Sequence, residues 1–120
     1  MIELETLEEM FSNIRANAGW DMDGPMLWGF FFTDASREKL QAALPFLQAE
    51  GYRFVDLFMP DLDADEEEYF FLHVEKEEMH TPHSLDLRNQ QLEAFAERHA
   101  LRSYDGMDVG PISDASTRLT

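Results

Sequence analysis

The sequence of 120 residues contains no cysteine. That excludes a disulfide framework, a thiolate zinc site, an iron–sulfur cluster and a cysteine nucleophile. Positive charge is scarce as well. Against 25 Asp+Glu stand only 9 Lys+Arg, which gives a formal charge of −16 and a pI near 4.3. Such a chain repels phosphate backbones, so direct nucleic-acid binding is not expected and a basic protein partner is favoured. Long apolar runs are also missing. The longest, near Met26–Phe32, falls far short of the roughly 20 residues that a membrane-spanning helix needs. The start, Met1-Ile2-Glu3-Leu4-Glu5, is acidic where a signal peptide is basic, so the expected location is the cytoplasm without membrane contact. The serines and glycines form no Gly-x-Ser-x-Gly elbow, P-loop or Gly-x-Gly-x-x-Gly. Neither enzymatic activity nor a cofactor is expected.

What is present points to a folded chain. Hydrophobic residues make up 44% and aromatics 12%, enough for a core despite the charge. The length fits one domain, over residues 1–112, with a polar tail at 113–120 that is expected to fray. Leu4, Leu7, Met10, Phe11 and Ile14 form the stripe of an amphipathic helix over Glu3–Asn17. An Asp/Gly/Pro turn at Asp21–Pro25 precedes an apolar aromatic strand, Met26–Thr33. A helix capped by Asp34 or Ser36 runs to Glu50, with Pro45 inside it as an expected kink and Gly51 as its stop. Strands follow at Tyr52–Met59 and Tyr69–Met79. Thr81-Pro82 opens a helix that runs to Ala100, and Leu101–Met107 reads as a short last strand or an extended tail.

After the first helix the order is strand, helix, strand, strand, helix, strand. This pattern predicts an α+β ferredoxin-like sandwich: βαββαβ, a four-stranded antiparallel sheet and an extra N-terminal helix. The first and third strands should be central. The end of the fourth strand should lie beside the start of the first, bringing Asp105 towards Asp21 and Asp23.

Four groups of residues carry candidate chemistry. Asp21, Asp23 and Asp105, with Trp20 beside them, suit turn structure, an acidic recognition surface, or a hard cation in a small metal-dependent enzyme. The run Asp61, Asp63, Asp65, Glu66, Glu67 and Glu68, with Asp56 upstream, reads as a solvated loop able to meet Arg/Lys-rich segments. His80 and His83, with Glu77 and Glu78, have zinc-ligand chemistry interrupted by the Thr81-Pro82 turn; surface histidines are the simpler reading. Alternation puts Trp28, Phe30 and Phe32 on one strand face and Leu27, Gly29 and Phe31 on the other. An open aromatic face can stack RNA bases. The nearest basic residues are only Arg53, Lys76 and Arg102, so the expected cover is core packing, the first helix, or a second copy in a homodimer.

The turn at Asp21-Met22-Asp23-Gly24-Pro25, the Gly51-Tyr52 step from helix to strand, and the closing Tyr104-Asp105-Gly106 together resemble the RraB family of ribonuclease E inhibitors. The resemblance spans residues 4–110. Met107 stands where the family carries Trp, and the long acidic C-terminal extension of some members is not part of this sequence. The resemblance implies a small, acidic, cytoplasmic, ferredoxin-like protein without catalysis. Its partner would be a basic or Arg-rich segment of an endoribonuclease, contacted by Trp20, Asp21, Asp23, Asp105 and the Asp61–Glu68 loop. An immunity-type module that neutralises another basic protein fits the acidity and size equally well.

Overall fold

A computed structural model describes residues 3–18, 20, 24–65 and 67–112. The elements are α1 (Leu4–Asn17), β1 (Met26–Asp34), α2 (Arg37–Ala49), β2 (Arg53–Phe58), β3 (Phe70–Glu78), α3 (Pro82–Arg98) and β4 (Ser103–Gly110). The strands form one antiparallel sheet in the order β2-β3-β1-β4. This is the ferredoxin-like α+β arrangement with an added N-terminal helix, and β1 and β3 are central. The tail at 113–120 and the turn residues Asp21–Asp23 lie outside the described residues.

Local chemistry explains the boundaries. At the start of α2, Ser36 Oγ accepts from Lys39 N at 3.2 Å, the N-cap bond. Asp34 has a different task. Its carboxylate accepts from Ser36 N at 2.8 Å and from Arg102 N at 2.9 Å, tying the end of β1 to α2 and to the start of β4. Pro45 is exposed and α2 continues through it to Ala49. Gly51, at φ +97°, reverses the chain so that Tyr52 N can donate back to Leu47 O at 3.1 Å. At α3, Thr81 and Ser84 form a reciprocal capping box with Pro82 in the first turn.

The last strand lies later than the sequence pattern suggests, at Ser103–Gly110 rather than Leu101–Met107. Ala100 adopts a left-handed conformation (φ 55°), and Leu101 N donates to Ala96 O at 2.8 Å. Leu101 is therefore a buried part of the helix exit, and pairing begins two residues on.

The core lies on one side of the sheet. Trp28, Phe30 and Phe32 are at most 1% exposed. They pack with Leu7 and Phe11 of α1, Leu40, Ala43 and Leu47 of α2, and Leu85, Leu92 and Phe95 of α3. The Phe11 and Trp28 rings stack at 6.0 Å. α1, α2 and α3 thus all press on the even-numbered side of β1. The first helix, expected as one possible cover of the aromatic sheet, lies with α3 on the Trp28 side, where Phe11 completes its stripe against Trp28.

Candidate partner-binding surface

The side of the sheet turned away from the helices carries alternating residues of the same strands. Phe31 of β1 lies between His73 and Gly106 in the registers with β3 and β4. Phe71 of β3 pairs with Phe58 of β2. The rings form a connected series. His73 stacks on Phe31 at 4.2 Å, Phe31 meets Phe71 edge-on at 6.4 Å, and Phe71 stacks on Phe58 at 5.4 Å and tilts against Tyr69 at 5.6 Å. All five are half-buried. Between Phe31, Phe58 and Phe71 opens a shallow apolar cleft of about 370 Å³. Asp105, Gly106 and Met107 form its other wall.

Carboxylates ring these aromatics. Asp105 is exposed at the cleft. Asp108 pairs with Gly29 across the β1–β4 ladder. The absent side chain of Gly29 leaves room there for Asp108 Oδ1 and His73 Nε2. A methyl group at Gly29 would lie 2.3 Å from the first and 2.8 Å from the second. Glu75 and Glu77 of β3 hold Arg53 of β2 at 3.2 and 3.9 Å. The other cation here is Arg102, whose guanidinium sits 4.8 Å from the Tyr69 ring centre.

Asp105, Trp20 and most of the acidic loop fall within the described residues. Asp105 sits at the bulge where β4 shifts register opposite Phe31 and Phe32. From there to Met26, at the start of β1, is five residues or about 17 Å of strand. Asp105 therefore stands opposite the far half of β1 rather than beside its start at Met26. Asp21 and Asp23 themselves lie outside the described residues, as does Glu66. Asp61, Asp63, Asp65, Glu67 and Glu68 are exposed in the β2–β3 connection, which leaves from Phe58 and returns at Phe70, beside the aromatic cleft. Trp20 is half-buried and packs against the core cluster. Met107 is half-buried too, against the core and along the cleft.

The histidines also separate. His80 is buried, with Nε2 2.5 Å from Glu78 Oε2 and Nδ1 2.9 Å from Ser84 Oγ. Arg88 adds contacts of 3.0 and 3.2 Å to the same carboxylate. Burial alone would raise the Glu78 pKa, but the His80 and Arg88 contacts outweigh it and hold the carboxyl below its ordinary value. Trp28 Nε1 donates to Glu78 O at 3.1 Å, joining this network to the core. His83 is exposed on α3 and outside it. Among the described residues no group of three or more His, Asp or Glu is placed to hold a metal ion. A second cleft, about 590 Å³, separates α3 from the end of α2. Its Arg88 is already engaged by Glu78 and by Gln91 at 2.6 Å. Tyr52 on its wall has its hydroxyl pKa pushed up to about 12, chiefly by burial and against the pull of Arg88.

Sequence reasoning missed Asp108 and the carboxylate rim that it and Asp105 add to the aromatic sheet face. Alternation alone had separated Phe31 from Trp28, Phe30 and Phe32. No signal in the sequence showed that the described helices would leave the Phe31 side uncovered.

Among the described residues no helix is long and apolar enough to cross a membrane. Among curated proteins none matches the sequence significantly. The family model described as Regulator of ribonuclease activity B (RraB) matches residues 5–109, from the first turn of α1 to the penultimate residue of β4. The chain therefore belongs to the RraB family, whose description is that of a regulator.

Proposed function

We propose that the protein is a non-catalytic regulator that binds a ribonuclease E-type endoribonuclease in the cytoplasm and thereby modulates RNA turnover. The observation that carries this reading is the family match over nearly the whole chain. The charge of −16 supports it, because a ribonuclease segment that binds RNA is basic and would be attracted to this surface. The contact set comprises Asp105 and the Asp61–Glu68 loop, with Trp20, Asp21 and Asp23 at the turn before β1. In this reading the acidic residues steer association and set specificity more than they add affinity.

The test is binding of purified ribonuclease E to the protein across a salt series, with RNA cleavage measured in parallel. Binding that weakens as salt rises, with altered cleavage, is the expected result. The triple variant Asp63→Lys, Glu66→Lys, Glu67→Lys should associate several-fold more slowly and with a shallower salt dependence. Unchanged kinetics in that variant would remove the acidic loop from the contact set. Absence of any binding would remove the nuclease as the partner.

A further inference from the structure

We propose that the face of the sheet that no described helix covers docks an arginine-rich segment of the protein partner. Guanidinium groups would stack on Phe31, Phe58 and Phe71, and Asp105 would pair with their charge. The proposal deepens the reading above and rests on it.

Three observations lead here. The aromatic rings of this face stand half-exposed in a contiguous series around an apolar cleft, while every described helix packs on the opposite side. Patches of this kind on a soluble surface mark interaction sites. The surround is acidic, with Asp105 on the cleft wall, Asp108, Glu75 and Glu77 along the strands, and the β2–β3 loop beside it. A partner must then be apolar enough to desolvate the rings and positive enough to meet the carboxylates.

Arginine meets both conditions. Its planar, weakly hydrated guanidinium stacks on aromatic faces and forks onto carboxylates, whereas lysine is a strongly hydrated point charge. The face already receives the chain's own arginines in both ways. Arg102 lies over Tyr69, and Arg53 sits against Glu75 and Glu77. Phe31, Phe58 and Phe71 have no such cation among the described cation–ring contacts.

The competing occupants fit less well. A second copy using the same face in a two-fold pair would bring this acidic rim onto itself. Single-stranded RNA would stack, but its phosphates would meet carboxylates where an RNA-binding sheet presents Lys and Arg.

The experiment uses the full chain and two synthetic peptides of equal length and charge, one rich in arginine and the other with lysine at each of those positions. Titration is followed by backbone amide shifts and by calorimetry. The expected result is shifts concentrated at Phe31, Phe58, Phe71, His73 and Asp105, with the arginine peptide bound about fivefold more tightly. Phe58→Ala lies on the edge strand and should weaken the arginine peptide by a similar factor while the thermal midpoint stays near that of the parent. Asp105→Asn should flatten the salt dependence.

Equal affinity for the two peptides, or shifts confined to the helical side, would overturn the proposal. So would open-face shifts that appear on raising the protein concentration alone, which indicate a second copy. Tight binding of a single-stranded oligouridylate at this face would overturn it in favour of RNA. If ribonuclease E binds but Phe58→Ala and Asp105→Asn leave that binding unchanged, the proposal fails and the nuclease reading stands. If the arginine peptide binds at this face but ribonuclease E does not, the proposal stands and the nuclease reading fails.

Discussion

The two faces of β1 are built from similar amino acids and meet different fates. Trp28, Phe30 and Phe32 on one side are sealed under α1, α2 and α3. Phe31, one residue away from two of them, stacks on His73 and stays half-exposed at a cleft. Aromatic content alone therefore does not mark a core. What separates the faces is the company each strand keeps in its neighbours. On the covered side β3 contributes Leu72 and Val74, both fully buried, and on the open side His73 and Glu75. A row of apolar neighbours draws a helix onto it, because burial removes that surface from water at little polar cost. A row that mixes rings with imidazole and carboxylates does not, because a helix laid there would strand those polar groups without partners.

Truncation on the two faces should sharpen the contrast most. Trp28→Ala removes a ring that stacks on Phe11, meets His80 edge-on at 5.3 Å and donates to the Glu78 carbonyl. The expected loss is about 3–5 kcal/mol in chemical denaturation. A loss as small as that of an exposed-face truncation would mean that the helical layer is loosely packed.

Glu78→Gln should follow in size. It leaves Arg88 and His80 without the carboxylate they share, and about 2 kcal/mol of stability should go with it. The pH dependence has a definite sign. Because the folded carboxyl titrates below its unfolded value, its stabilising share is present in full above the unfolded pKa of about 4.3. It is lost as the pH falls through the lower, folded pKa. Denaturation midpoints of the parent should therefore drop more steeply in that acid range than those of Glu78→Gln. Parallel profiles would remove Glu78 as the cause.

Gly29→Ala probes the open face from below. The new methyl meets the Asp108 carboxylate and His73 Nε2 first, and Asp108 is exposed, so its carboxylate can turn towards solvent. About 1 kcal/mol or less is expected, against the larger penalties of overpacking a closed core. Adding Asp108→Ala should recover most of it. A much larger cost would show that the open face is as rigid as the covered one.

The smallest effect on stability belongs to the loop. Asp63→Lys with Glu67→Lys should change unfolding free energy by no more than about 0.5 kcal/mol, since both positions are exposed and surface substitutions seldom do more.

Much of the architecture was legible because each element carries a periodic signal of its own. The stripe at Leu7 and Phe11, the Thr81-Pro82 start and the alternation in β1 are local patterns, and their order selects the ferredoxin-like topology. The binding surface was less legible. The position of Asp105 depends on where β4 begins and on a bulge opposite Phe31 and Phe32, and neither has a local signature. The sequence read His80 and His83 most simply as surface histidines, with zinc chemistry as the alternative. The turn into α3 instead buries one against Glu78 and leaves the other in solvent.

By itself the sequence determined the charge, the element order and the division of each strand into two faces, because composition and periodicity reside in consecutive residues. Which face α1, α2 and α3 would cover, which carboxylates would gather around the aromatic cleft and where the chain's own arginines would settle were decided only in the tertiary structure. Those outcomes depend on register and on packing between segments far apart in the chain, where a shift of one residue turns a side chain from one face to the other.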